Sequence, residues 1–200
     1  MRLEEGLAAL ASRAQLDAGE LAAYAAEDTL GGVDTGWPGG SVWRVEGQFL
    51  YALIRALKPE RVIEIGTAAG CSAAHMLAAL NANGHGTLHS YDILASAGYA
   101  IPDTVSRERW RFTAADAIAT LQKTPVRCQV AFEDGLHTTE FTRDALRTLK
   151  QMTVGVLISH DALHFSDYGR MVREAWDAEI DDYDAVLMEA SDCGLAFTCL

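Results

Sequence analysis

From Arg61 onward the chain alternates short apolar runs with segments of helical periodicity, and that alternation leaves few folds open. Arg61–Ile65, Gly86–Tyr91, Trp110–Thr113, Val126–Glu133 and Val154–Ser159 read as strands; Ser72–Asn81, Asp116–Lys123, Thr139–Met152 and Tyr168–Ile180 read as helices. Strand–helix–strand repetition predicts a parallel sheet with helices on both faces. Runs without polar alternation, such as Val154-Gly-Val-Leu-Ile158, are what doubly covered strands require. The last two apolar segments, Asp184–Glu189 and Leu195–Leu200, are separated only by Ala190-Ser-Asp-Cys-Gly194, too little chain for a crossover helix. They are expected to pair as an antiparallel hairpin.

The rest of the chain fits one domain. Its 200 residues, half of them apolar, suffice for one core and not comfortably for two, so residues 1–200 are read as a single unit. Within it, 1–40 supply N-terminal helices and a glycine-rich loop, and 41–200 the sheet core. Residues 2–28 have apolar positions at helical spacing and predict one or two helices; 44–57 predict an amphipathic helix stopped by Lys58-Pro59. Five glycines and Pro38 between Gly31 and Gly40 exclude regular structure there. That stretch is a connector or a loop closing over a site, and Trp37 and Trp43 favour the second. The N-terminal helices have two arrangements open to them, on the sheet or across a homodimer interface.

Composition excludes several classes. No apolar run reaches the ~18 residues of a membrane span, and the N-terminal stretch is broken by charges, unlike a signal peptide. Cys71, Cys128, Cys193 and Cys199 form no C-x-x-C pair and predict reduced thiols in a cytoplasmic protein. A net charge of −12 disfavours nucleic acid as a partner. There is no G-x-S-x-G, H-E-x-x-H or P-loop sequence.

The most informative segment is Arg61-Val-Ile-Glu-Ile-Gly-Thr-Ala-Ala-Gly-Cys-Ser72. A strand enters Gly66, and a helix starts after Gly70, which is how a ligand is received over the carboxyl end of a sheet. Gly66 permits a tight turn, Gly70 a close approach, the helix start offers free N–H groups, and Ser72 can cap it. A nicotinamide dinucleotide site would carry a middle glycine where Ala68 stands, and its pyrophosphate would be repelled by Glu64. S-adenosylmethionine has no phosphate, and its ammonium and sulfonium favour an acidic neighbour. Asp92, ending the second strand, can accept both ribose hydroxyls, and Asp116, after the third, can reach an adenine amino group or cap a helix.

The segments Val62–Ser72, Glu46-Gly47-Gln48, Phe132-Glu-Asp-Gly-Leu-His137 and Ile158-Ser-His-Asp161 resemble the small class I O-methyltransferases. These are the catechol and caffeoyl-CoA type enzymes and the related bacterial small-molecule methyltransferases with a D-G-x-H motif. The resemblance spans residues 40–200. It implies a Rossmann-like class I methyltransferase fold with strand order 3-2-1-4-5-7-6. It also implies S-adenosylmethionine bound by Glu64, Gly66, Thr67, Gly70, Ser72, Asp92, Ile93, Ala115, Asp116, Ala117 and Asp134.

In that order the fourth and fifth strands are neighbours, so Asp134 and Asp161 can share a divalent cation. In the resembled metal-dependent enzymes an Asn follows the second Asp; here it is Ala162. His160, with His137 and His164 as alternatives, can replace that ligand and would favour a softer metal such as iron, manganese or zinc over magnesium. His137 stands where the catechol type has its lysine base, and is read as a base, a metal ligand or a loop-bonding histidine. The expected function is methyl transfer to a hydroxyl of a small molecule, with Asp134 and Asp161 orienting the acceptor and His137 taking its proton. Two alternatives stand beside it: a donor-binding protein without transfer activity, and a nicotinamide-dependent oxidoreductase.

Overall fold

The computed structural model describes residues 2–27, 30, 42–187 and 191–200. The glycine-rich stretch 31–40, with Trp37 and the expected lid, lies outside them.

Three helices come first: α1 (Leu3–Ala14), α2 (Ala18–Ala26) and α3 (Arg44–Leu57). Strands and helices then alternate: β1 (Arg61–Ile65), α4 (Cys71–Asn83), β2 (Thr87–Asp92), β3 (Trp110–Ala114), α5 (Ala117–Lys123), β4 (Cys128–Glu133), α6 (Thr139–Lys150), β5 (Thr153–Ser159) and α7 (Asp167–Glu179). The chain closes with β6 (Asp184–Val186) and β7 (Leu195–Cys199). The seven strands form one sheet in the order β3-β2-β1-β4-β5-β7-β6. The first five are parallel, and β7 runs antiparallel to both β5 and β6, giving the expected terminal hairpin. The first strand of that hairpin is shorter than expected: β6 ends at Val186, and residues 188–190 are not described. The bounds of β1 and α3 are those expected, and the other boundaries lie within two residues of the sequence expectation.

Strand alternation divides the core. Val62, Leu88, Val130, Phe132, Ile158 and Phe197 pack under α1–α4; Ile63, Ile65, Ala131, Leu157 and Ala196 pack under α5–α7. The first helices belong to the same chain's core. Leu7, Leu10 and Leu21 are buried with α3, and Arg13 of α1 pairs with Asp182 at 2.9 Å and with Asp184 of β6. Among the two open arrangements, the N-terminal helices therefore pack on their own sheet layer. No helix among the described residues is long and apolar enough to cross a membrane.

Candidate active site

The carboxyl ends of β1, β2, β4 and β5 converge on two adjoining features. The first is the β1–α4 loop. Gly66 sits at φ +85°, and a Cβ on it would lie 2.0 Å from the Asp134 carbonyl oxygen. Gly70, the N-cap of α4, sits at φ +98°, where a Cβ would meet Ile101 at 2.6 Å and Gly98 at 2.8 Å. The two glycines thus admit neighbouring backbone as well as any ligand. Ala68, at the place of the dinucleotide motif's middle glycine, also adopts positive φ, 43°.

Asp92 organises this loop. Its Oδ2 accepts from the N–H groups of Thr67 (2.9 Å) and Ala68 (2.8 Å), and its Oδ1 from that of Leu94 (2.8 Å). Beside it, Ile93 and Leu94 are exposed large apolar residues. The Ala115 N–H donates to the Asp92 carbonyl, which brings the end of β3 alongside. Asp116 is exposed and caps α5 by accepting from the Ala119 N–H at 2.9 Å; Ala117 behind it is buried.

Glu64 is not at the surface of this crevice. It is fully buried beneath the loop, accepting from Ser72 Oγ at 2.6 Å and Thr67 Oγ1 at 3.2 Å. Ser72 therefore serves Glu64 instead of capping α4, a role that falls to Gly70. Burial pushes the Glu64 carboxyl up to about 7, against the pull of its hydroxyl partners. A raised carboxyl favours the fold in acid and withdraws that support as pH climbs through about 7. Glu64→Gln, which stays neutral, is expected to abolish ~3 kcal/mol of the stability difference between pH 5 and pH 8. Urea midpoints at the two pH values measure this; an unchanged difference would contradict it.

The second feature is a charge cluster against Gly66. Asp134 follows β4, and Asp161 follows β5 with φ 57°, a left-handed conformation that Asp tolerates better than most residues. His137 Nε2 lies 3.2 Å from Asp134 Oδ1 and 2.9 Å from Asp161 Oδ2. His160 Nδ1 lies 3.3 Å and 3.4 Å from the same two oxygens. Burial works against both imidazolium ions, yet the facing carboxylates push His137 up to about 10 and His160 well above its usual range. In return, despite burial, the histidines hold both aspartates below theirs. Glu133, next in the chain, is buried and pushed up to about 7 by that burial.

Other residues join the site, and sequence alone gives Glu46 no role in it beyond its place in a resembling segment. Glu46 of α3, fully buried, accepts from His160 Nε2 (2.9 Å), Ser191 Oγ (2.6 Å), and the N–H groups of Gly194 (2.9 Å) and Trp43 (3.0 Å). The Trp43 indole donates to Asp192 Oδ1 at 2.9 Å, tying α3 to the hairpin loop. His164 is turned to Ser166 Oγ (2.6 Å) and groups with Asp192 and Cys193, outside the Asp134–His137–Asp161 set. His85 is exposed on the Lys58 carbonyl and His89 bonds Thr87, both as structural residues. Leu136 and Tyr168 are exposed beside the cluster, the Tyr168 ring 6.0 Å from that of His137, and exposed Phe165 stacks on His164 at 4.5 Å.

Residues 63–162 match the model of a family described as a methyltransferase domain. No curated protein matches the sequence significantly. Among solved structures, a candidate O-methyltransferase from Klebsiella pneumoniae superposes with TM-score 0.67 at 18% identity, covering 93% of this chain and 97% of that one. The O-methyltransferase from Bacillus cereus in complex with SAH gives 0.66 at 13% identity, over 89% and 90%. The SAH-bound methyltransferase PaMTH1 from Podospora anserina gives 0.65 at 14%, over 95% and 91%. At these identities the shared property is the fold.

Proposed function

Because this chain belongs to the methyltransferase-domain family, we propose that it transfers the methyl group of S-adenosylmethionine to a hydroxyl of a small, largely apolar molecule. One observation carries the reading. The loop suited to the donor and the charged cluster suited to the acceptor are in direct backbone contact, Gly66 against Asp134. Methyl transfer needs that adjacency, since the acceptor oxygen must approach the activated methyl in line with its sulfur.

Asp92, whose carboxylate is fixed by three backbone N–H groups, is proposed to accept the ribose hydroxyls. Ile93 and Leu94 supply an apolar shelf for the adenine, with Ala115, Asp116 and Ala117 at its edge. Gly66, Thr67 and Gly70 shape the loop, and Glu64 and Ser72 brace it from below. The SAH complexes of Bacillus cereus and Podospora anserina proteins with this fold support the choice of donor.

At the other end, Leu136, Phe165 and Tyr168 are proposed to receive the apolar body of the acceptor, with its hydroxyl against Asp134, His137 and Asp161. Raised to about 10, His137 is an imidazolium near neutral pH whose Nε2–H faces both carboxylates. In this arrangement one of the two aspartates takes the hydroxyl proton as the oxygen takes the methyl and S-adenosylhomocysteine leaves, and the imidazolium offsets the negative charge around the reacting oxygen. This reading differs from the sequence expectation that His137 itself takes the proton as a base. The same residues fit a divalent cation: two carboxylates and two ring nitrogens converge, and His160 Nδ1 is buried and aligned for a hydrogen bond with neither carboxylate. A bound cation would supply positive charge that acidifies and orients the acceptor hydroxyl.

Transfer of labelled methyl from S-adenosylmethionine to a panel of phenolic and aliphatic alcohols tests the proposal. His137→Ala is expected to lower kcat by ~10²–10³-fold with donor affinity unchanged. Unchanged turnover would contradict the assignment of His137, and no transfer to any hydroxyl would contradict the reaction.

A further inference from the structure

We infer that the open edge of the sheet at β3 is a docking site for an extended, acidic segment of a partner protein. The edge's cations stand toward the amino ends of the strands, away from the carboxyl ends that carry the donor loop and the charge cluster. The site is therefore independent of the proposed function.

β3 is the last strand in the sheet order, and among the described residues no strand pairs with its outer side. An unpaired edge of this kind accepts an extended segment as an added strand. The helices leave this corner uncovered: Arg111 and Thr113 of β3 are exposed, and His89 of β2 is half-buried. Register puts Ile63, His89 and Arg111 in one row, with Arg61 two residues before Ile63 on the same face.

Charge on this edge gives the independent sign. Elsewhere arginines pair with carboxylates: Arg13 with Asp182 and Asp184, Arg143 and Arg147 with Glu179, Arg170 with Glu174. Around β3 they donate to carbonyl oxygens instead. Arg61 reaches that of Arg127 (2.8 Å), Arg107 that of Ile101 (2.9 Å), Arg109 that of Gly86 (3.3 Å), and Arg111 those of Glu108 (2.8 Å) and Trp110 (2.9 Å). None of these four arginines makes an ion pair among the described residues, in a chain with 28 acidic residues and with Glu60 and Glu108 close at hand. A carbonyl holds a guanidinium in place without neutralising it, so the charge stays directed outward. His89, flanked by Arg61 and Arg111, is held below the usual imidazole range by partial burial and by those two charges.

The surroundings select among anionic partners. A net charge of −12 repels a long polyanion such as nucleic acid, whereas a short acidic segment meets mainly the local charge. Trp110 is half-buried with its indole N–H on Ser90 Oγ at 2.9 Å, so it is not presented for base stacking. Among the described residues, no exposed large apolar side chain lies on β3 or at the starts of β1 and β2, so the edge has nothing to insert into a membrane. Carboxylates on both faces of an extended peptide would meet arginines on both faces of the edge. Arg111 stands on the Ile63 side, and Arg107, 5.6 Å over the Trp110 ring, on the other.

The test uses the full chain and a short fluorescein-labelled peptide of alternating Glu and Thr, read by anisotropy. One equivalent is expected to bind, with affinity falling as salt rises, and a peptide with Lys in place of Glu is expected not to bind. Hydrogen exchange should slow at residues 110–114 when the peptide binds. Arg111→Glu, a change at an exposed position, should weaken the peptide ~10-fold, and Arg61→Gln about 2–5-fold. Arg170→Glu, on α7, should leave binding unchanged. Absence of saturable binding would reduce the arginines to guards of an open edge and overturn the inference. So would protection confined to another element, an equal loss in Arg170→Glu, or tighter binding of oligouridylate or phosphatidylserine vesicles than of the peptide.

Discussion

Gly66→Ala is expected to cost about 3–5 kcal/mol of stability, among the largest effects of any single methyl group in this chain. Two terms add. A side chain at φ +85° carries a left-handed penalty of about 1–2 kcal/mol. The new Cβ would also stand 2.0 Å from the Asp134 carbonyl oxygen and 2.5 Å from its carbon, so backbone must move, not a flexible side-chain tip. The movement would part the ends of β1 and β4, where the Asp134 N–H donates to the Ile65 carbonyl at 2.8 Å. Gly84 is the control. It has φ +74° with nothing within 4 Å of an added methyl, so Gly84→Ala should cost only the conformational ~1 kcal/mol. Urea denaturation of the two variants separates the terms; equal losses would refute the close-approach account of Gly66.

Asp92→Ala is expected to weaken S-adenosylhomocysteine binding by ~10²–10⁴-fold. Charge-assisted hydrogen bonds contribute about 1.5–3 kcal/mol each, and two ribose hydroxyls would lose theirs. The same substitution releases the N–H groups of Thr67, Ala68 and Leu94 from their shared acceptor, so the loop loosens as well. Asp92→Asn divides the contributions. It keeps one oxygen for the loop and removes the charge, and is expected to fall between wild type and alanine. Calorimetric titration measures all three; an alanine variant binding as tightly as wild type would place the donor elsewhere.

The fold was legible because its signals are local. Continuous apolar runs mark strands covered on both sides, and the five residues before Leu195 leave room only for a hairpin. The pairing of Asp134 with Asp161 was legible through topology, since adjacent parallel strands bring their ends together. What stayed hidden depends on contacts distant in sequence. Glu46 stands in a segment that carries the family resemblance, but its role did not follow from that: by type it is an acidic residue in the first turn of a helix, and it does accept from the Trp43 N–H there. Its partner His160 is 114 positions away, and nothing periodic links them. Ser72 reads as a cap by type, but the helix already starts at Gly70, and the Ser72 hydroxyl is drawn to the buried Glu64. The role of His137 depended on two carboxylates facing one nitrogen, a distance that spacing alone does not give.

The most direct measurement is a competition titration of the purified protein with S-adenosylhomocysteine and NAD⁺. One equivalent of S-adenosylhomocysteine should bind and be lost in Asp92→Ala, with no heat from NAD⁺. Binding of NAD⁺ at the β1–α4 loop, with S-adenosylhomocysteine failing to bind or displace it, would contradict the account.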